Sequence, residues 1–130
     1  MAQQPIELIL VRHLASRLAV PVFVVDAVGD LVYFNGPAGE ILGRAFDEIN
    51  VMRFEDWTTA FRPSAEGRAI SADEIPLVRA LRQSVPVHGP LEIVGADGVE
   101  RTIEVTAFPI VPPSGTVLGA VAMFWESATT

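Results

Sequence analysis

Val22 to Gly43, VFVVDAVGDLVYFNGPAGEILG, constrains the fold more than any other stretch of this chain. Val22-Phe23-Val24-Val25 is an apolar run with strong strand preference. Asp26 and then Val28-Gly29-Asp30 interrupt it with turn chemistry, glycine supplying a positive φ and aspartate tolerating one. Leu31-Val32-Tyr33-Phe34 is a second short run, and two such runs about a tight polar turn predict a β-hairpin. Asn35 stops the second strand, and its side chain suits the unpaired amides that open a helix. Pro37 fits an early helical position, Glu40 the first turns, and Gly43 the left-handed residue that closes a helix. The unit is strand, turn, strand, capped short helix.

That order, carried by VVDAVGDLVYFN and then PAGEILG, resembles the opening of a PAS domain, the sensory fold of many signalling proteins. Later segments continue the resemblance. DEIPLVRAL is similar to the long helix before the third strand, GADGVERTIEVTAFPI to the third and fourth strands, and GTVLGAVAMFWE to the last strand. The resemblance implies an α+β fold: a five-stranded antiparallel sheet with short helices on one face. It also divides the chain into an N-terminal helix over 1–20, a PAS domain over 21–126 and a tail over 127–130.

Pro5 to Val20 reads as that N-terminal helix, and Pro21 turns the chain into the first strand. At 100° per residue, Leu8, Leu10, Val11, Leu14, Ala15, Leu18 and Ala19 cover about half the circumference. Arg12, Ser16 and Arg17 lie opposite, together with Ile6, Ile9 and His13. A helix that covers only its own core needs an apolar stripe of about 100°, and this one is wider. Two readings stand: a cap over one face of the sheet, or a cap that also carries a homodimer seam. Leu10, Leu14 and Leu18, at i, i+4 and i+8, make a face to sit on the sheet. The candidate pairing residues are Ile6, Ile9, Leu10, His13 and Leu14.

Between Arg44 and Ile70 the signals are mixed. Phe46 and Ile49 suit one turn, and Phe54, Trp57 and Phe61 recur on one face of a helix ended by Pro63. Ser64 to Arg68 reads as a loop about Gly67. Ser71 and Glu74 form a capping-box pattern, although Pro76 sets the regular helix to begin nearer Glu74 or Ile75. On it Leu77, Val78 and Leu81 face inward, and Arg79, Arg82 and Gln83 outward. Leu91 to Val94, Arg101 to Ile110 and Val117 to Trp125 read as strands joined at Ala96-Asp97-Gly98 and Pro112-Pro113-Ser114-Gly115. The last of these, VLGAVAMFW, is apolar at every position, whereas a sheet wet on one side alternates. Both of its faces are therefore expected to be covered, one by the internal helices and the other by the N-terminal helix of this chain or of a partner.

Chemistry-bearing constellations are scarce. The chain has no cysteine and no lysine, which removes disulfides, thiolate nucleophiles, cysteine metal sites and Schiff-base chemistry. His13 and His88 stand on different elements, and no phosphate loop, zinc spacing or nucleophile elbow is present. Asp26 and Asp30 read as turn formers and not as an acid/base pair. The expectation is a protein that is not an enzyme. A net charge of −7 with nine scattered arginines speaks against nucleic acid, whose binding rests on phosphate contacts. Acidic pairs such as Asp47-Glu48, Glu55-Asp56 and Asp73-Glu74 read as solvated faces. No run approaches the roughly 18 apolar residues of a membrane helix, and no signal peptide is visible. A cytoplasmic location is expected.

In PAS domains the short helices wall a central pocket. The resemblance thus makes Phe34, Phe54, Trp57, Phe61, Leu77 and Leu81 pocket candidates, against the plainer reading that such aromatics are core. Light-oxygen-voltage PAS domains attach flavin to a cysteine, and photoactive yellow proteins attach a coumaroyl-type chromophore to one. The absence of cysteine excludes both. Relatives that bind haem often ligate it from the long helix, which here lacks histidine; His88, just past it, is poorly placed. Relatives that bind dicarboxylates use basic pocket residues, for which Arg53, Arg62, Arg68 and Arg79 are the candidates. A small uncharged ligand, or none, is the leading expectation, with a non-covalent haem or flavin redox sensor as the alternative. PAS modules commonly feed a covalently linked output domain. Here four residues follow Glu126, so signalling in trans through a protein partner is expected.

Overall fold

A computed structural model describes residues 5–46 and 52–127. Ile49 and the Asp47-Glu48 pair lie outside the described residues, as does the tail beyond Ser127. Helix α1 (Ile6–Ala15) precedes strands β1 (Val22–Asp26) and β2 (Leu31–Phe34). Helices α2 (Gly36–Leu42) and α3 (Phe54–Ala60) follow, then the two-residue strands β3 (Ser64–Ala65) and β4 (Arg68–Ala69). A 3-10 turn (Ala72–Glu74) leads into α4 (Pro76–Gln83) and the meander β5 (Val87–Val94), β6 (Glu100–Ile110) and β7 (Gly119–Glu126). The strands form one antiparallel sheet in the order β2-β1-β7-β6-β5-β3-β4. Among the described residues no helix is long and apolar enough to cross a membrane.

The hairpin of β1 and β2 forms for the reasons its sequence offers. Asp26 Oδ1 accepts from the amides of Val28 (3.1 Å) and Asp30 (3.0 Å), and Gly29 takes a φ of +93°. The turn does more than reverse the chain. Asp30 Oδ1 accepts from the Phe54 amide at 2.8 Å, and the Gly29 carbonyl accepts from the Trp57 indole N–H at 2.9 Å, so the turn fastens the start of α3. Asn35 caps α2 through Ala38, and Gly43 closes it at φ +77°. The Ser71–Glu74 capping box forms on the 3-10 turn, and α4 begins at Pro76.

Two apolar layers sit on opposite faces of the sheet. The inner layer is large: β1, β2 and β5–β7 contribute Phe23, Val25, Leu31, Ile93, Ile103, Val105 and Phe124, and α2–α4 close over them. The outer layer is smaller, with Leu8 and Ala15 of α1 on Val22, Val24, Val32 and Val121. Gly119 shows how closely α1 and β1 approach β7. A Cβ there would run into the Val25 carbonyl oxygen and stand 3.1 Å from Leu8 Cδ2.

Several expectations need correction. The sheet has seven strands, because Ser64–Ala69 is a miniature hairpin and not a loop. Glu66 and Gly67 both take positive φ (+53° and +79°), as a two-residue type I′ hairpin loop requires. Strand β5 starts four residues earlier than expected, at Val87, and β7 two later, at Gly119. Helix α1 ends at Ala15 and not at Val20: beyond it the bonds tighten to i→i+3, Arg17 and Leu18 donating to Leu14 and Ala15, and the Asn35 side-chain amide donates to the carbonyls of Ala15, Leu18 and Val20. Leu10 and Leu14 do not sit on the sheet: each is 60% exposed. The stripe that does is Leu8, Val11, Ala15 and Leu18, spaced i, i+3, i+7 and i+10. Finally, the last strand is covered on both faces only in part. Val121 is buried beneath α1, whereas Met123 is half-buried and Trp125 is 43% exposed.

Candidate functional site

The inner layer closes imperfectly, leaving a cavity of about 60 Å3 between the sheet and helices α3 and α4. Its floor is the inward row of the strands, Phe23, Leu91, Ile93, Ile103, Val105, Ala122 and Phe124, set by the period-two alternation of each strand. Its roof is Trp57, Phe61, Pro63, Ile75, Pro76 and Leu77, with Leu42 of α2 at one side. Among the described residues every lining side chain is apolar, and the one side-chain polar group among them, the Trp57 indole N–H, is spent on Gly29. The space is roomy enough for water, but its lining side chains offer water no partner. The cavity suits a small apolar molecule.

Of the candidate pocket residues, Trp57, Phe61 and Leu77 line this cavity, and Phe34, Phe54 and Leu81 do not. Phe34 instead stacks on Phe23 (centroids 6.3 Å apart, planes 8° apart), filling the core between β2 and α2. Phe54 is half-buried, meets Trp57 edge-on and carries the Arg82 guanidinium 5.5 Å over its ring. Leu81 is one helical turn past Leu77 and packs in the closed part of the core. The strand residues of the floor are absent from the candidates, although the alternation of Ile103 and Val105 along β6 marks an inward row.

No arginine lines the cavity. Arg53 reaches Glu55 (4.0 Å), Arg68 reaches Glu74 (3.4 Å), and Arg62 and Arg79 are exposed. His88 lies within β5 on the outer face, its Nε2 3.4 Å from Glu104 and its ring 6.1 Å from that of Trp125. It points away from the cavity. Among the described residues no cluster of three or more His, Asp or Glu could hold a metal ion. Flavin and haem do not fit the cavity as the described residues shape it: ligand sites for such molecules run to about 300–1,000 Å3 and offer convergent polar groups.

The outer face has a second notable surface. Ile6 (66% exposed), Ile9, Leu10, His13 and Leu14 all face away from the sheet. Phe108 and Trp125 are exposed on the strands beyond the reach of α1. The margins of the sheet are polar. Arg101 joins Asp97 (3.2 Å) and Glu126 (3.4 Å), and its hydrogen bond, with the Val99 amide, holds the Asp97 carboxyl below its ordinary value. The Ser71 backbone amide does the same for Glu74.

Comparison with known proteins agrees with this architecture. The sequence profile of a family described as PAS fold matches residues 15–128. The fold is similar to the Rhodobacter sphaeroides LOV protein, with a TM-score of 0.73 at 16% identity, covering 95% of this chain and 69% of that one. A PAS domain from Colwellia psychrerythraea gives 0.64 at 14% identity, covering 92% and 96%. One from Bordetella pertussis gives 0.64 at 13%, covering 96% and 89%. No curated protein matches the sequence significantly.

Proposed function

The chain belongs to the PAS fold family, and from that premise we propose that it is a non-enzymatic sensory and protein-interaction module of the cytoplasm. Its cavity takes a small uncharged, apolar ligand or none. Its outer face pairs two copies and passes the signal in trans to another protein.

The observation that carries this reading is the outward side of α1. Four large aliphatic side chains, Ile6, Ile9, Leu10 and Leu14, stand in water on one short helix. Each forgoes up to about 1.5–3 kcal/mol of burial. An isologous pair uses the same patch twice, and twofold pairing is the commonest way small domains cover such a face. His13 stands in the same patch. The ligand half of the reading rests on the cavity's size and on its wholly apolar lining.

The test of pairing is light scattering on the full chain and on a Leu10→Glu, Leu14→Glu double variant. A dimer at micromolar concentration that becomes a folded monomer on double substitution is the expected result. A wild-type protein that is already monomeric removes the pairing. The absorption spectrum of the purified protein tests the ligand half: it is expected to be colourless, and a flavin or Soret band would overturn that part.

A further inference from the structure

Asn35 is a polar residue only 2% exposed, and all of its hydrogen-bonding groups are engaged. Its Oδ1 accepts from the amides of Val22 (3.0 Å) and Ala38 (3.1 Å). Its Nδ2 donates to the carbonyls of Ala15 (3.0 Å) and Val20 (2.8 Å), with that of Leu18 at 3.4 Å. Its backbone amide donates to Val22, and its carbonyl accepts from Gly39. Capping α2 requires the oxygen alone. The nitrogen end of the same rigid, planar group holds the last turn of α1 and the segment that follows it.

Two turns further along α2, Leu42 lines the cavity, and its carbonyl accepts from the Ala96 amide at 2.7 Å. One carboxamide therefore stands between the helix that borders the cavity and the helix that carries the exposed aliphatic face. A planar group anchored at both ends cannot follow one without shifting against the other. Resting on the ligand and pairing reading above, we propose that Asn35 is the joint that makes the docking of α1 depend on the filling of the cavity. Displacement of α2 by an occupant changes the hold of Nδ2 on the three carbonyls, and with it the presentation of Ile6, Ile9, Leu10 and Leu14.

The discriminating variant is Asn35→Asp. One carboxylate oxygen still accepts from Val22 and Ala38, while the other faces the carbonyls of Ala15, Leu18 and Val20 with no proton to give. Where the buried carboxylate prevents folding, as judged by circular dichroism, Asn35→Ser replaces it, since its hydroxyl caps α2 without spanning to all three carbonyls. Hydrogen exchange of the α1 amides is then measured on the full chain with and without xenon as the cavity probe. Xenon is expected to change α1 protection in the wild type by roughly two- to tenfold, the range one hydrogen bond is worth. In the variant xenon still binds by its NMR shift, but the α1 response disappears. Binding of xenon with no α1 response in the wild type, or with an equal response in both proteins, overturns the joint. Should xenon not enter, the cavity reading fails separately. Leu42→Phe, which pushes volume into the cavity from α2 itself, then decides the joint in the two backgrounds by the same criterion.

Discussion

The two faces of the sheet are built from the same kinds of residue and reach different ends. On the inner face, strands and three helices meet so completely that Val25, Leu31 and Val78 have almost no exposed surface. The slack among the described residues is a small apolar cavity. On the outer face one ten-residue helix covers β1, β2 and part of β7, buries Leu8 and Ala15, and leaves larger side chains in water on both itself and the strands. Hydrophobicity alone does not separate the two faces. What separates them is how many elements the chain supplies to cover each.

The strongest way to break this contrast is to hollow the inner face. Phe23→Ala removes a ring in contact with Phe34 and Trp57, and is expected to cost about 3–5 kcal/mol in urea unfolding. A loss below about 1.5 kcal/mol would mean that the inner layer is no tighter than the outer. A sharper comparison stays within α1, where Leu8 and Leu10 share chemistry and helix but differ in burial, 0% against 60%. Leu8→Ala is expected to cost about 2–4 kcal/mol, and Leu10→Ala less than about 0.5 kcal/mol at concentrations where the chain is monomeric. Equal losses would show that the helix is docked by a face other than the one described.

The smallest effect lies at the margin between the faces. Because the Arg101 hydrogen bond lowers the folded-state value of Asp97, this group adds stability above the ordinary aspartate value of 3.8. That contribution is lost as pH falls from there through the lowered value. Arg101→Gln is expected to move the Asp97 carboxyl titration upward, followed by NMR, and to flatten this part of the acid limb. An unmoved titration would assign the lowering to the Val99 amide alone.

Most of this architecture could be read along the chain because its signals are local. Gly29, Asn35, Gly43 and the Ser71–Glu74 pair each dictate a turn or cap within a few residues, and all of them form as the sequence suggests. The misread parts depend on partners far away in sequence. The segment that follows α1 is held by Asn35, about twenty residues later, and Asp30 serves an amide 24 positions on. The resemblance to PAS domains put Trp57, Phe61 and Leu77 among the pocket candidates, but Phe34, Phe54 and Leu81, offered on the same ground and equally apolar, lie outside the cavity. Whether an apolar residue borders a void is a matter of packing among several elements, and no single segment encodes it. Leu10 and Leu14 show the same limit. A helix with apolar residues over half its girth does not reveal which stripe meets the sheet.

The small β3–β4 hairpin joins the ladder of β5 at a single position, Ser64 opposite Glu92. From Val87 to Leu91, strand β5 therefore has a strand neighbour on its β6 side alone among the described residues. An open edge of this kind is a template on which another chain can add itself strand by strand, the first step towards fibres. Here the ladder lacks a rung, since Pro90 has no amide to donate, and exposed His88 lies beside it. The sheet's two terminal strands are themselves short, four residues in β2 and two in β4. Half of the residues in this chain are hydrophobic, and among the described residues a proline and the brevity of the outermost strands are features that oppose runaway sheet growth.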